Sequence, residues 1–594
     1  MNFESPRMEK ARKCLLVLIP FAYATVLSPS VSTSGFWADD GSTFQFISRI
    51  PSFWRLFGSD AFQFFRPVKN FIWFGFYKLH SFSLAWCHLA AIAIGAISFF
   101  PLLFLFNRIF ASRWKALAAA TIWLFAPTLA SSAAWLSCVN VRIMVIFAAL
   151  AITSHDKAWE SGTFHARQTA LAGLFLFLSF VSYECAISVV PILFLFDLQL
   201  RPGRLRLRSA RMAHVGYWTI AILYLVLRFL ANGTEHAGRW IDAERWQLIV
   251  SSPYFTVRHF SCWFWPFGKF TVLSSYRWGD APVWILAGCA VLGIGVLLFA
   301  LLCWKRQPAL SFCLLFAAMG FAPVSNCLGF GNGPYGDYYL ALASVGIAAG
   351  CVEICCLLLK SPGRWGQPAA VTLVSVFVLT RVAAGVETVR WARFWGRGDL
   401  AFAESIRNHP EFHSNKYAYI RFLTFESRYE EAMKLGRQIE SSVGDNTRQM
   451  GTVQLAKALY AINISHDADE AFRCIDLCEK SMDDDISTNL CQFYRGCIFE
   501  DLLEDNDEAE SMYNAALADG IEFELVPCAD RLARLKAMRG ERDEAISLWK
   551  RASELDTENV TVLWNLSAAY REAGEMEKAE ETWKHLQNLT GGDP

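Results

Sequence analysis

The sequence predicts an all-α protein in two parts. A polytopic membrane helical bundle of about 11 spans fills residues 1–390, and a helical-repeat solenoid fills residues 391–594. Three observations predict this. Long apolar runs are confined to residues 14 to about 385, whereas residues 396–594 are rich in Glu, Asp, Lys and Arg. The short loops of the first part divide into a basic set and a set without Lys or Arg. The second part repeats itself with a 34-residue period near its end. The 594-residue chain is 54% hydrophobic and 15% aromatic, more apolar than soluble domains of this size. Basic and acidic residues both number 55, so no net field points to nucleic acid.

A span needs about 20 apolar residues. Candidates fall at approximately 14–33, 83–107, 116–131, 140–154, 169–183, 184–198, 213–231, 281–303, 309–326, 338–359 and 368–386. The fifth and sixth form one run, divided at "SYECA". Glu184 is costly at mid-bilayer, and a helix of about 30 residues is too long to span without tilt. Orientation follows from short-loop Lys and Arg. Arg7, Lys10, Arg12 and Lys13, then Arg108, Arg113 and Lys115, then the loop "RPGRLRLRSAR", then Lys305/Arg306 and Lys360/Arg364 all fall on one face, the cytoplasmic one. Loops 132–139 and 327–337 carry no Lys or Arg and fall on the other. Read instead as a cleaved signal peptide, the first span still leaves Asp39 outside. Two long external loops, 34–82 and 232–280, are rich in Trp and Phe, as interfacial segments are.

The 17 cysteines include no C-x-x-C pair, so zinc ribbons and thioredoxin-like motifs are unsupported. Cys474 and Cys478, one turn apart, read as helix-packing thiols.

In the second part Gly540 and Gly574, Ala545 and Ala579, and Trp549 and Trp583 are each 34 apart. Ala509 with Tyr513, then Ala471 and Ala432, continue the series backwards. A small Ala followed four residues later by a large side chain is the packing pair of a helical hairpin. Five copies are expected. The last, "WNLSAAYREAGEMEKAEETWKHL", closely resembles a tetratricopeptide repeat, and such arrays offer a concave face that holds peptides. Five N-x-S/T sequons, at Asn232, Asn463, Asn559, Asn565 and Asn588, fall on the expected external face; those within repeat helices read as ordinary helix asparagines.

Ionisable residues at a membrane boundary are functional candidates. Asp39 and Asp40 sit just beyond the first span in "GFWADDGSTFQF". The plain alternative is a water-facing acid pair that marks the interface. Arg66, Arg142, Arg258, His259 and Lys269 are external cations suited to a phosphate, with Arg239 beside them; the alternative for each is an interfacial anchor. His88, Glu184 and Asp337 are candidates to face a cavity, against the alternatives of helix packing for His88 and interfacial solvation for the two acids.

Seven segments occur in an order that resembles a known family. "WADDGSTFQFISRIPSF", "FFRPVKNFIWF" and "HSFSLAWCHLAAIAIGA" place Trp37, Asp39/Asp40, Arg66–Pro67 and His88. "AAWLSCVNVR", "SYECAISVVPILFLFDL", "CWFWPFGKFTVLSSY" and "PVSNCLGFGNGPYGDYYLALASVG" follow, with Arg142, Glu184, Pro191, Asp197 and Asp337. Together they resemble GT-C-type, polyprenyl-phosphate-dependent glycosyltransferases, in particular the protein O-mannosyltransferase-like family that carries tetratricopeptide repeats, and its bacterial relatives. Tyr183 stands where that pattern has Lys, Tyr338 where it has Arg, and Ala343 where it has Pro.

The resemblance implies a GT-C membrane domain and a lipid-linked sugar donor. It also implies inverting transfer to a protein hydroxyl outside the cytoplasm, with repeats that bind the acceptor. Asp39 or Asp40 would act as base or orient the acceptor. Their partner carboxylate would raise a pKa or help hold a divalent cation, Mg or Mn; the sequence leaves both open. The repeat region, about 200 residues, points to a bacterial inner membrane with periplasmic repeats, the alternative being an endoplasmic-reticulum membrane with lumenal ones. A non-catalytic membrane-anchored repeat scaffold for envelope assembly is the competing reading. A flippase would call for inverted repeats with broken helices, which the sequence lacks.

Overall fold

The computed structural model describes residues 6–31, 43, 46–47, 50, 53–58, 64–80, 84–160, 163–232, 243–272, 282–325, 336–360, 366–410, 413–440, 447–481, 485–518, 525–556 and 559–590. Helices and turns make up the described residues, and none is in a strand. The chain divides into two compact units, Met1–Phe412 and His413–Pro594.

The first unit is a helical bundle. Its helices are α1 (Pro6–Val31), α2 (Pro67–His80), α3 (Leu84–Ile97), α4 (Phe99–Ile109), α5 (Arg113–Leu124), α6 (Asn140–Lys157), α7 (Ala166–Phe180) and α8 (Val189–Leu200). They continue as α9 (Arg208–Asn232), α10 (Ala243–Phe264), α11 (Val283–Leu302), α12 (Pro308–Phe321), α13 (Ala343–Leu359), α14 (Gly366–Trp395) and α15 (Gly398–Asn408). Among the described residues, 6 helical stretches are long and apolar enough to cross a membrane, and Arg113–Leu124 with Pro127–Ala134 makes a seventh if their 62° bend lies within one span. The other expected spans are shorter apolar helices: α7, α12, α13 and the 12-residue α8.

The break expected at "SYECA" is present. The α7 helix stops at Phe180, and a 3₁₀ turn over Glu184–Ser188 leads into α8. The two segments expected as external loops each contain a helix, α2 and α10. Apolar residues recur in both at helical spacing. The α15 helix belongs with the bundle: Ser405 Oγ accepts from Val272 N at 2.9 Å, and Asn408 Nδ2 donates to Phe270 O at 3.3 Å.

Small residues let the helices approach. A Cβ placed on Gly346 of α13 would collide with the backbone of Cys313 and Ala317 on α12. Trp123, fully buried on α5, donates its indole N–H to Ala341 O at 3.1 Å, which satisfies the one polar atom of a large apolar side chain. Arg381, partway along α14, donates to the carbonyls of Trp263 and Phe264 and stacks on the Trp263 ring at 4.7 Å. It thereby caps the C-terminal end of α10, whose last carbonyls have no intrahelical donor.

The second unit holds five helical hairpins, as expected from the repeats: α16 (His413–Phe425) with α17 (Tyr429–Glu440), α18 (Thr447–Tyr460) with α19 (Ala468–Ser481), α20 (Asp485–Asp501) with α21 (Asn506–Ala516), α22 (Val526–Met538) with α23 (Arg542–Leu555), and α24 (Val560–Glu572) with α25 (Met576–Thr590). Ala432, Ala471, Ala509, Ala545 and Ala579 are all buried on the second helix of their pair. Five residues before each stands a left-handed residue: Ser427, His466, Glu504, Gly540 and Gly574, with φ between 52° and 84°. At Gly540 and Gly574 the next N–H reaches back to Lys536 O at 2.9 Å and Tyr570 O at 2.8 Å, the bond of a Schellman turn. Cys474 and Cys478 pack in the core of the second hairpin, as expected. Asn559 caps α24, accepting from Val562 N at 3.1 Å.

Candidate functional site

The end of the bundle opposite the basic loop 201–211 is built by chain segments far apart in sequence. Arg66, directly before α2, meets Glu184, at the break between α7 and α8. Nε donates to Oε2 at 3.0 Å and the second guanidinium nitrogen donates to Oε1 at 2.7 Å. Both side chains are buried, at 9% and 3% exposure. The guanidinium is flanked by the rings of Phe64 at 4.1 Å and Tyr183 at 4.6 Å. A two-bond planar pair between aromatic faces fixes the orientation of the cation as well as its place. The Val68 N–H bonds Val181 O at 3.3 Å, tying the start of α2 to this break.

Asp337 opens a 3₁₀ turn ahead of α13 and is buried. Its carboxylate accepts from its neighbour Tyr338 N at 2.8 Å and from Trp395 Nε1 at 3.3 Å. Trp395 stacks on Trp135 at 5.4 Å, and Trp135 meets the ring of Tyr338 edge-on at 5.8 Å. Among the described residues no cation forms an ion pair with Asp337. His259 lies alongside, stacked on Tyr339 at 5.9 Å. Its Nδ1 donates to Phe255 O at 2.7 Å, so Nε2 is left as the acceptor for Gly336 N at 3.3 Å; the surroundings fix one neutral tautomer. The Tyr338 and Tyr339 side chains lie near Tyr183, and Tyr338 lies near Arg66. Arg66, Glu184, Asp337 and His259 therefore share one neighbourhood.

Arg142 lies on the first turn of α6 and is fully buried. Nε donates to Ser132 Oγ at 2.7 Å and a terminal nitrogen donates to Leu129 O at 3.1 Å. The rings of Tyr23 and Trp123 cover it at 5.2 and 5.6 Å. Among the described residues its hydrogen-bond acceptors are all neutral. Ser137, one turn earlier, donates to Thr43 Oγ1 at 3.1 Å. Trp37, Asp39 and Asp40 lie outside the described residues, as does Arg239; Thr43 is the nearest described position to the acid pair.

Lys269 donates to Ser261 Oγ at 2.9 Å, beside the last turn of α10. Arg258 is half-buried next to His259. His88 is buried on α3 next to Cys87, which belongs to an apolar cluster with Trp73 and Ala91.

A second polar network sits at the opposite end of α8, the end that carries the basic loop. Asp156 takes two hydrogen bonds from Arg201, both at 2.9 Å, and one from Arg204 at 2.8 Å. Asp197 takes Arg204 at 2.9 Å on Oδ1. Its Oδ2 receives the Nε2 atoms of both His155 and His214 at 3.0 Å. Sequence reasoning placed Asp197 only within a motif and took Arg201 and Arg204 as topology markers; it missed His155, Asp156 and His214. Two adjacent polar residues closing the apolar run of α6 were the available signal.

No protein-family model matches the chain, and no curated protein matches its sequence. Among solved structures, the tetratricopeptide-repeat protein YrrB, described as having an unusual peptide-binding site, is similar over 32% of this chain and 92% of its own, at 17% identity and a TM-score of 0.22. The Archaeoglobus fulgidus oligosaccharyltransferase, solved with a tethered acceptor peptide and in the apo form, is similar over 65% of this chain at 14% identity and a TM-score of 0.40. This chain spans 56–57% of the length of that enzyme. Likeness at this level assigns no activity.

Proposed function

We propose that the protein is an integral-membrane glycosyltransferase that moves a sugar from a polyprenyl-phosphate donor to a protein hydroxyl on the extracytoplasmic face, with the repeats binding the acceptor. The observation that carries this reading is the state of the buried charges at the external end. Arg142 and Asp337 are both buried, and their described hydrogen-bond partners are all neutral. A buried charge without a counter-charge costs several kcal/mol. Groups held this way, beside an Arg66 clamped in one orientation, suit a site that meets its opposite charges in a ligand. An apolar groove of about 930 Å³ runs between α1, α5 and α14, from Leu15 and Trp114 to Ser30 and Ala126, which suits a prenyl chain.

In this reading the acceptor oxygen attacks the anomeric carbon and the bond from that carbon to the phosphate oxygen breaks. The electron pair leaves with the phosphate, and the acceptor proton passes to Asp39 or Asp40. Arg66 stabilises the departing phosphate, and Glu184 holds Arg66 in place. Asp337 orients the acceptor side. The acid pair is also where a Mg or Mn ion would bind; among the described residues no three His, Cys, Asp or Glu ligand atoms converge at this end.

The test is intact-mass spectrometry of envelope proteins from the native host deleted for the gene and complemented with wild type, Asp39→Asn or Asp40→Asn. A hexose- or pentose-sized mass lost on deletion, restored by wild type and withheld by one Asn variant, supports the transferase and identifies its base. Full restoration by both variants removes the acid pair from the chemistry. An envelope defect rescued equally by all three, with no mass change, establishes the scaffold instead.

A further inference from the structure

The network at the basic-loop end contains a convergence that ion pairing alone does not require. His155 is in the last turn of α6, Asp197 in the last turn of α8 and His214 in the second turn of α9. Each imidazole aims the same ring atom, Nε2, at the same carboxylate oxygen, Oδ2, both at 3.0 Å. The three ligand atoms lie within 4.8 Å of one another. Side-chain exposure is 0% for His155 and Asp197 and 7% for His214.

We propose that His155, Asp197 and His214 bind a divalent transition metal, zinc by ligand type, which ties the ends of α6, α8 and α9 together. Two neutral imidazoles and one carboxylate are a borderline-soft ligand set that suits zinc. Ligand bonds of about 2.0–2.2 Å at tetrahedral angles place ligand atoms roughly 3.3–3.6 Å apart, so both His–Asp separations, 3.0 Å, open by a few tenths of an ångström when the ion enters. The outer contacts are those a ligating set needs. Tyr217 OH lies 3.1 Å from His155 Nδ1 and takes its proton when Nε2 faces the metal. Arg204 holds Asp197 Oδ1 at 2.9 Å, which leaves Oδ2 for the ion. Asp156 draws Arg204 to itself at 2.8 Å, which spreads that positive charge away from the ion. Three protein ligands leave a fourth position for water.

The test uses the full-length chain purified in detergent. Metal content is read by inductively coupled plasma mass spectrometry, and Co²⁺ is titrated into the chelator-stripped protein. One zinc per chain is expected, with Co²⁺ giving visible d–d bands and no thiolate charge-transfer band. His214→Gln and Asp197→Asn should each lower Co²⁺ affinity at least tenfold. The melting temperature of the stripped wild type should rise on adding Zn²⁺, and that of the variants should not. His165→Gln, outside the cluster, should behave as wild type. Wild-type protein that neither retains zinc nor responds to Co²⁺ overturns the proposal. So does a thiolate band, which assigns the metal to cysteines, or undiminished binding in folded His214→Gln.

Discussion

The two ends of the bundle handle buried charge in opposite ways. At the basic-loop end Asp156 meets Arg201 and Arg204, Asp197 meets Arg204 and two histidines, and Arg108 joins Asp156 at 3.7 Å and Glu160 at 3.0 Å. Opposite charges there are neighbours, and the polar atoms of the acids are used up. At the opposite end, Arg66 and Glu184 are joined in this way. Asp337 and Arg142 rest on an indole, a backbone amide, a hydroxyl and a carbonyl. Removing one member of the first pattern strands a buried opposite charge, whereas the second already holds its two groups without a counter-charge among the described residues. The α8 helix separates the two patterns, and its 12 residues span only about 18 Å. The difference comes from local partners and not from depth of burial, since both ends are buried.

Substitutions break or sharpen this contrast. The largest effect is expected for Arg66→Ala, which strands Glu184 in a buried site. A loss of about 3–5 kcal/mol should show as a lowered midpoint in thermal melting in detergent. The double variant Arg66→Met/Glu184→Leu should regain most of that stability and still transfer no sugar; transfer by the double variant would reduce the pair to scaffolding. Next is Asp156→Asn at the basic-loop end, expected to cost about 3 kcal/mol because two guanidinium groups lose their shared acceptor. Activity per folded molecule should hold, and its loss would mean the two ends are coupled. Asp337→Asn should change stability by about 1 kcal/mol or less, because burial pushes this carboxyl up to about 7 and so already favours its neutral form, which the amide resembles. Turnover should nevertheless fall by about 10²-fold. A large loss of stability with normal turnover would make this acid structural. The smallest effect is expected for Arg108→Ala, whose partly exposed pairs contribute within about 1 kcal/mol. A larger drop would show that the closed network extends to its rim.

The apolar layout was legible because a bilayer imposes length and composition on any chain that crosses it. The eleven runs fall on helices of the bundle, of which six or seven among the described residues are long enough to cross, and the break at "SYECA" is where the chain turns. Arg66 and Glu184 were each singled out, yet nothing in the sequence joins two residues 118 positions apart. The His155–Asp197–His214 cluster was not legible, because separations of 42 and 17 residues match no local period. Arg201 and Arg204 show the limit from the other side. Basic loop residues were counted for orientation, while the structure turns these two inward onto acids. In the second unit the Ala series was readable since each hairpin repeats it locally.

The left-handed residue in each hairpin turn has a kinetic consequence. An L side chain costs about 1–2 kcal/mol in that conformation and glycine does not. Ser427, His466 and Glu504 bear that strain in the first three turns, while Gly540 and Gly574 spare the last two. In a linear array order starts where a repeat is cheapest to form and spreads to its neighbours. On turn strain alone, the last two hairpins are where order starts, and the first three gain theirs by packing against ordered neighbours.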